Sequence, residues 1–331
     1  MSREKKQSFM GGVTIMAIST IFVKICGAIY KIPLNNILGA EGLVHFQSAY
    51  NIYAILLTVS TTGLPLALSK LVSEAHAANR RTQIRRCFYT AMSLFVILGI
   101  AGTAVMFFFA DQLAVAINNS LASGAIRALS ISVISVSIMC AYRGFAQGRQ
   151  NMLPTAVSQF IEAFFKMVVG LPLAWYIIRL GRPLEDGAAA AILGVSAGTV
   201  LAMFYMILNY RKLRGPILWG TDVPQSYGTI VKRLLGLGIP ITIGQASMSL
   251  LNMLDQTICL GQLQNVLGLG ERAAANLYGE YSFSNTLFNL PAAFLPTITV
   301  SLIPAISVAV VRRNHREISQ IVSTSFRLIA A

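Results

Sequence analysis

Eight long apolar runs joined by short polar connections constrain this chain more than any other feature. They are Phe9 to Ile32, Gln47 to Leu68, Phe88 to Ala110, Ile126 to Tyr142, Pro154 to Ile178, Gly187 to Tyr210, Leu235 to Leu260 and Tyr278 to Val311. A ninth begins near Ile318 and stops at Ala331. A helix crossing the hydrocarbon core needs about 20 apolar residues, and backbone inside lipid must satisfy its own hydrogen bonds. No ten-residue alternation points to a barrel. The runs therefore predict an all-α, polytopic membrane protein with eight full transmembrane helices and a truncated ninth. Composition agrees, with 55% hydrophobic and only 11% charged residues and a mean hydropathy of +0.65, where soluble domains carry about 25% charge. The connections are too short to hold a soluble catalytic domain, and no enzyme activity is expected.

The charge is lopsided: 26 Lys+Arg against 12 Asp+Glu, a formal net charge of +14. In a soluble protein that would point first to nucleic acid. In a membrane protein it points to topology. A cytoplasmic N-terminus assigns Arg3, Lys5, Lys6, Lys70, Arg80, Arg81, Arg85, Arg86, Arg143 and Arg149 to the inner side. Arg211, Lys212, Arg214, Lys232, Arg233, Arg312, Arg313 and Arg316 fall there too, making 18 of the 26. Lys31, Arg127, Arg179, Arg182 and Arg272 fall outside. The positive-inside rule thus predicts a multi-pass protein of the cell membrane with its N-terminus in the cytoplasm. The first run lacks a small-residue cleavage site and is read as a retained span. Cys26, Cys87, Cys140 and Cys259 are isolated, without CxxC or Cys/His ligand spacing, so neither a metal nor another cofactor is expected.

A weak internal repeat argues for two lobes. Leu56 to Pro65, ending the second run, parallels Leu295 to Pro304, ending the eighth: three hydroxyl positions and the last proline coincide at one offset. Both segments run outside to inside, which implies a parallel repeat about an axis along the membrane normal. The expected division is an N-terminal lobe over residues 1–214, a cytoplasmic linker over 215–234, and an incomplete C-terminal lobe over 235–331. Within the linker, Tyr227 to Leu234 is basic and amphipathic, and is expected to lie on the inner leaflet.

Ionisable groups at bilayer depth are costly and normally face a bundle interior or a wet cavity. In the first run Thr20, Lys24, Gly27 and Lys31 recur at steps of four, three and four, which places both lysines on one face. Lys24 is too deep to reach the headgroups easily and reads as a cavity residue, whereas Lys31 fits snorkelling as well as binding. In the fifth, Thr155, Gln159, Glu162 and Lys166 repeat that rhythm, with Glu162 and Lys166 an i,i+4 pair in the favourable order. Helix gluing and a coupling or substrate role are equally compatible with that pair. The seventh carries Thr242, Gln245, Ser249, Asn252 and Asp255 on one face, and Asp255 suits either a structural partner or a proton or sodium site. The eighth places Tyr281, Asn285 and Asn289 on one side, then Pro291, Pro296 and Pro304, which predict kinks.

Three stretches carry a family resemblance. The first is Val23 to Leu34, VKICGAIYKIPL, followed by Leu38 to Gly42, LGAEG. The second is Tyr142 to Gly148, YRGFAQG, running into Asn151 to Ala156 and Ser158 to Glu162, SQFIE. The third joins Gly238 to Pro240 with Asn252 to Asp255, Leu277 to Gly279 and Asn289 to Pro291. With these the chain resembles the stage V sporulation protein B and MurJ-type branch of the multidrug/oligosaccharidyl-lipid/polysaccharide exporter superfamily. That resemblance implies a two-lobe exporter fold and a flippase for undecaprenyl-pyrophosphate-linked saccharides such as lipid II, working by alternating access. It also implies that Lys24 and Lys31 meet the pyrophosphate in a central cavity, to which Arg143 is a further candidate. Lysine stands where many relatives use arginine, so a point charge replaces a planar fork. The expected partners are a polyprenyl-pyrophosphate-linked saccharide, membrane lipids and a coupling ion. Relatives have more spans, so the chain is expected to be about two-thirds of a larger protein and inactive alone. A cation-coupled multidrug exporter and a non-transporting scaffold are the alternatives. The lysine face argues against the first, which would suit an acidic cavity.

Overall fold

A computed structural model describes residues 9–61, 63–116, 119–214, 220–269, 277, 295–312 and 314–330. They form helices α1 (Phe9–Thr61), α2 (Gly63–Ala77), α3 (Arg81–Phe108), α4 (Ala110–Ala116), α5 (Ser123–Gly148), α6 (Leu153–Arg179), α7 (Leu184–Arg214), α8 (Tyr227–Asn265), α9 (Leu295–Val311) and α10 (His315–Ala330). There is no strand among the described residues, as the apolar runs require.

Among the described residues, six helical segments are long and apolar enough to cross a bilayer: Gly11–Gly39, Gly42–Ala77, Arg81–Phe108, Ser123–Gly148, Leu153–Arg179 and Leu184–Arg211. They coincide with the first six apolar runs. The first two meet inside α1, where Gly39 takes φ 65° and ψ −178°. That combination of positive φ and extended ψ is essentially reserved for glycine, since a Cβ is disfavoured there. Tyr30 and Phe46 are 16 positions apart, about 24 Å along a straight helix, yet their ring centroids lie 6.0 Å apart. The chain therefore folds back on itself at Gly39.

Lipid offers no hydrophobic drive to bring helices together, so close approach through small residues must supply much of the packing. Glycines mark each tight seam. A Cβ on Gly194 of α7 would collide with the backbone of Gly170 on α6, and one on Gly198 would lie 2.8 Å from the Glu162 carbonyl. On α5, Gly144 faces the Pro65 carbonyl and Gly148 the Ser69 carbonyl, so α2 lies directly on the YRGFAQG segment. Gly63 of α2 meets the backbone of Gly238 on α8.

Between these seams lie two buried layers. One gathers Leu68, Phe88, Met139, Phe145 and Tyr210 near the ends of α2, α5 and α7. The other gathers Tyr30, Leu34, Phe46, Met106, Ile126 and Ile192 toward the opposite end.

The linker differs from expectation. Tyr227 to Leu234 forms the first two turns of the continuous 39-residue α8. Ile230 and Leu234 are buried in the first layer, so the apolar face of this stretch is taken up by protein. Residues before it are strapped to the start of α3. Asp222 accepts from the amides of Thr82 (2.9 Å) and Gln83 (3.0 Å), Gln225 bonds Gln83 (2.6 Å), and Arg86 donates to the Gln225 carbonyl. Burial alone would raise the Asp222 carboxyl, but the Thr82 and Gln83 amides outweigh it and hold it below the ordinary aspartate value.

Of the eighth apolar run, α9 is described, with Pro304 inside it; Tyr281, Asn285, Asn289 and Pro291 lie outside the described residues. The ninth run forms α10, where Arg316, Glu317, Ser319, Gln320, Ser323, Thr324 and Arg327 interrupt the apolar pattern. Ile318, Ile321, Val322 and Ser325 follow an amphipathic spacing, with Ile321 and Ser325 buried. In this helix a two-faced pattern replaces a uniformly apolar one.

Candidate functional site

The polar residues singled out on the first and fifth runs converge where α1 packs against α5 and α6. On α1, the Ser19 hydroxyl lies 3.0 Å from Oε1 of Gln159 and 3.2 Å from the Ala156 carbonyl. One turn on, the rings of Phe22 and Phe160 stack with centroids 4.3 Å apart. These contacts set α1 and α6 in parallel register.

Arg143 stands at the end of α5 beside Gly144, and the close seat of α2 on that glycine leaves its side chain directed toward α6. There Nη2 donates to Oε2 of Glu162 at 3.0 Å, and Nε donates to the Ser158 hydroxyl at 2.9 Å. The pair is largely enclosed, with side-chain exposures of 13% and 24%. Next to it, Gln147 donates to the Thr155 hydroxyl at 3.4 Å. The RGFAQG-to-SQFIE block thus folds into one α5–α6 hairpin closed by polar contacts.

Glu162 is therefore the partner of Arg143, which corrects the expected Glu162 to Lys166 pair. Lys166 reaches the Tyr50 hydroxyl at 3.4 Å. Its ammonium also lies 4.7 Å from the Tyr30 ring centroid, 4.8 Å from that of Tyr50 and 5.7 Å from that of Phe46. Aromatic faces attract a desolvated cation through their quadrupoles, so the cage competes with a carboxylate for it. Helical spacing allowed the carboxylate pair; fold-back at Gly39 brought three rings to Lys166 instead. Tyr30 is fixed in place by its hydroxyl, which donates to the Ala191 carbonyl at 3.3 Å.

Lys24 and Lys31 are both exposed on α1. Lys31 lies in the electrostatic field of Lys166 and of Lys24. Asn252 and Asp255 lie on α8, with side chains outside the described residues, as is Asn285 entirely. Sequence reading missed Tyr30, Phe46 and Tyr50. Their recurrence on either side of Gly39 was visible, but only the fold-back gives it meaning. No group of three or more metal-ligating side chains occurs among the described residues.

An all-helical bundle of apolar spans, sealed by glycine seams and carrying Lys24, Lys31 and Lys166 within them, defines a multi-pass membrane protein. Its fold is that of the MATE transporters. The chain superposes on the crystal structure of MATE in complex with MaL6 with a TM-score of 0.78 at 15% identity, covering 98% of this chain and 70% of that one. A MOP superfamily transporter from Pyrococcus furiosus matches with a TM-score of 0.76 at 15% identity, over 98% and 70% of the two chains.

Residues 9–310 match the family described as polysaccharide biosynthesis protein, and the chain belongs to that family. Among its Bacillus subtilis (strain 168) relatives, stage V sporulation protein B is 25% identical over 98% of this chain and 62% of its own length. Lipid II flippase MurJ is 26% identical over 96% of this chain and 61% of its own. The uncharacterized membrane protein YabM is 26% identical over 98% and 60%. The chain thus spans about 60% of the length of the curated relatives it matches.

Proposed function

We propose that this chain is the major part of a flippase that moves a polyprenyl-pyrophosphate-linked saccharide, lipid II in the first instance, across the cell membrane by alternating access. The observation that carries the reading is Lys166, held among the Tyr30, Phe46 and Tyr50 rings and not by Glu162, which Arg143 already holds, with Lys31 in its electrostatic field.

A pyrophosphate cannot cross about 30 Å of hydrocarbon unaided. Lys24 lies 13 residues into its span and Lys31 seven further, about 20 Å and 30 Å along the axis. Like charges held close in a medium of low dielectric repel, and a bound anion relieves that repulsion. The lysines would therefore replace the hydration of the pyrophosphate in steps, while the polyprenyl chain stays in lipid. No bond is made or broken, so the work is transport and not catalysis.

In this reading the N-terminus is cytoplasmic, residues 1–214 and 235–331 belong to two lobes joined through 215–234, and rocking of one lobe against the other exposes the cations to each side in turn. Asn252, Asp255 and Asn285 would complete the cavity from the second lobe, with Asp255 available to a coupling ion. The name of the relative lipid II flippase MurJ supports this substrate class over drug efflux.

The test uses the full-length protein in vesicles containing a fluorescent polyprenyl-pyrophosphate disaccharide, with a membrane-impermeant quencher reporting transfer between leaflets. Lys24→Ala should lower the rate at least tenfold and Lys24→Arg should retain most of it. Full activity of the alanine variant would overturn the cation proposal. In cells, depletion should build up the precursor on the inner leaflet; an unaltered distribution would favour a scaffold.

A further inference from the structure

A second feature lies away from these lysines. A pocket of about 540 Å³ opens where α2 ends and α8 begins. One wall is the last turns of α2 with Arg80 and Gln83 of the α2–α3 corner; the other is Arg233 of α8 and the end of α9, with Gln225 of the strap between them. Three cations line it, Lys70, Arg80 and Arg233, against one carboxylate, Glu74. Arg233 already holds Glu74 at 2.7 Å, so the charges of Lys70 and Arg80 are unmatched within the lining. The remaining lining is apolar, including Leu71, Ile306 and Val310, the last 55% exposed. The pocket sits at the end of the Gly42–Ala77 span, level with Arg81, Arg85 and Arg86, and hence at a membrane boundary.

We propose that this pocket binds the phosphate of an acidic membrane lipid. Lys70 and Arg80 take the phosphate, and the α9 wall takes the first part of an acyl chain. At that depth an acidic lipid supplies both a net negative headgroup and an adjoining apolar tail. A zwitterionic lipid brings a second cation toward Lys70 and Arg80, and a soluble phosphate leaves the apolar wall unused. Because its walls come from α2–α3 and from α8–α9, a lipid seated there bridges the two parts of the bundle and favours the arrangement in which Glu74 meets Arg233. The inference does not depend on which molecule the protein transports.

The experiment follows thermal unfolding of the full-length protein in detergent, titrated with dioctanoyl phosphatidylglycerol, dioctanoyl phosphatidylcholine or inorganic phosphate. Phosphatidylglycerol should raise the midpoint, while the other two at equal concentration should not. At about fivefold per cation near an acidic headgroup, the Lys70→Gln, Arg80→Gln double variant should need roughly thirtyfold more phosphatidylglycerol for the same shift. Arg80 is exposed in the corner, so Arg80→Gln alone serves as a variant that folds, expected to need roughly fivefold more. Equal shifts from both lipids, a shift from inorganic phosphate that matches that of phosphatidylglycerol, or variants that titrate like the parent would each overturn the proposal.

Discussion

The Arg143 to Glu162 bridge allows a sharp test of how the α5–α6 hairpin is held. Removing one partner of a buried ion pair costs about 3–5 kcal/mol, mostly from the charge left behind. With side-chain exposures of 13% and 24%, some of that charge is met by water or lipid headgroups, and about 2–3 kcal/mol is expected for Arg143→Met or Glu162→Gln. After Glu162→Gln, the guanidinium keeps the Ser158 hydroxyl at 2.9 Å but no negative charge. The double variant removes both charges and should cost clearly less than the sum, with a coupling of about 2 kcal/mol. The parallel cycle between Glu162 and Lys166 should give a coupling below about 0.5 kcal/mol, because Lys166 is held by Tyr50 and the neighbouring rings. Equilibrium unfolding of the full-length protein in micelles measures all of these variants. A Glu162 coupling larger with Lys166 than with Arg143 would refute the assignment and restore the pair read from helical spacing.

Two glycine substitutions separate packing from backbone strain. Gly194→Val drives a side chain into the backbone of Gly170 and should lower stability by at least about 1–3 kcal/mol. Gly39→Ala meets nothing within 4 Å, so its cost should be only the positive-φ backbone, about 1–3 kcal/mol. Unfolding midpoints report both, and an unchanged midpoint in either would contradict the corresponding explanation. Asp222→Ala should remove the cap on α3 at a cost of about 1 kcal/mol. Because the folded carboxyl sits below its ordinary value, the strap's contribution is present above the ordinary aspartate pKa. It fades as pH falls toward the lowered folded value; a parent and a D222A variant that lose stability in parallel below pH 4 would count against it.

The span pattern was legible because lipid leaves so few options. A run such as Phe88 to Ala110 has one way to satisfy its backbone in hydrocarbon, and α3 follows it closely. Steps of four and three likewise put Gln159, Glu162 and Lys166 on one side of α6 and Lys24 and Lys31 on one side of α1, because a regular helix converts spacing into direction. The linker was less legible. The amphipathic stretch from Tyr227 suits a membrane surface or a protein groove equally well, and burial of Ile230 and Leu234 decided for the groove.

Partners were the least legible of all. Within α6, spacing alone allowed Glu162 to meet Lys166, a contact between neighbours on one helix. Arg143 is 19 positions away from Glu162, and Tyr30 and Phe46 reach Lys166 through a fold-back that depends on a single positive-φ glycine. The pocket beside Glu74 and Arg233 joins residues 159 positions apart. The sequence by itself determined the six apolar spans from Gly11 to Arg211 and which faces of α1 and α6 are polar, since both follow from hydropathy and helical period. Which polar groups among the described residues neutralise one another was decided only by the tertiary structure, because glycine seams set how closely and in what register the helices meet.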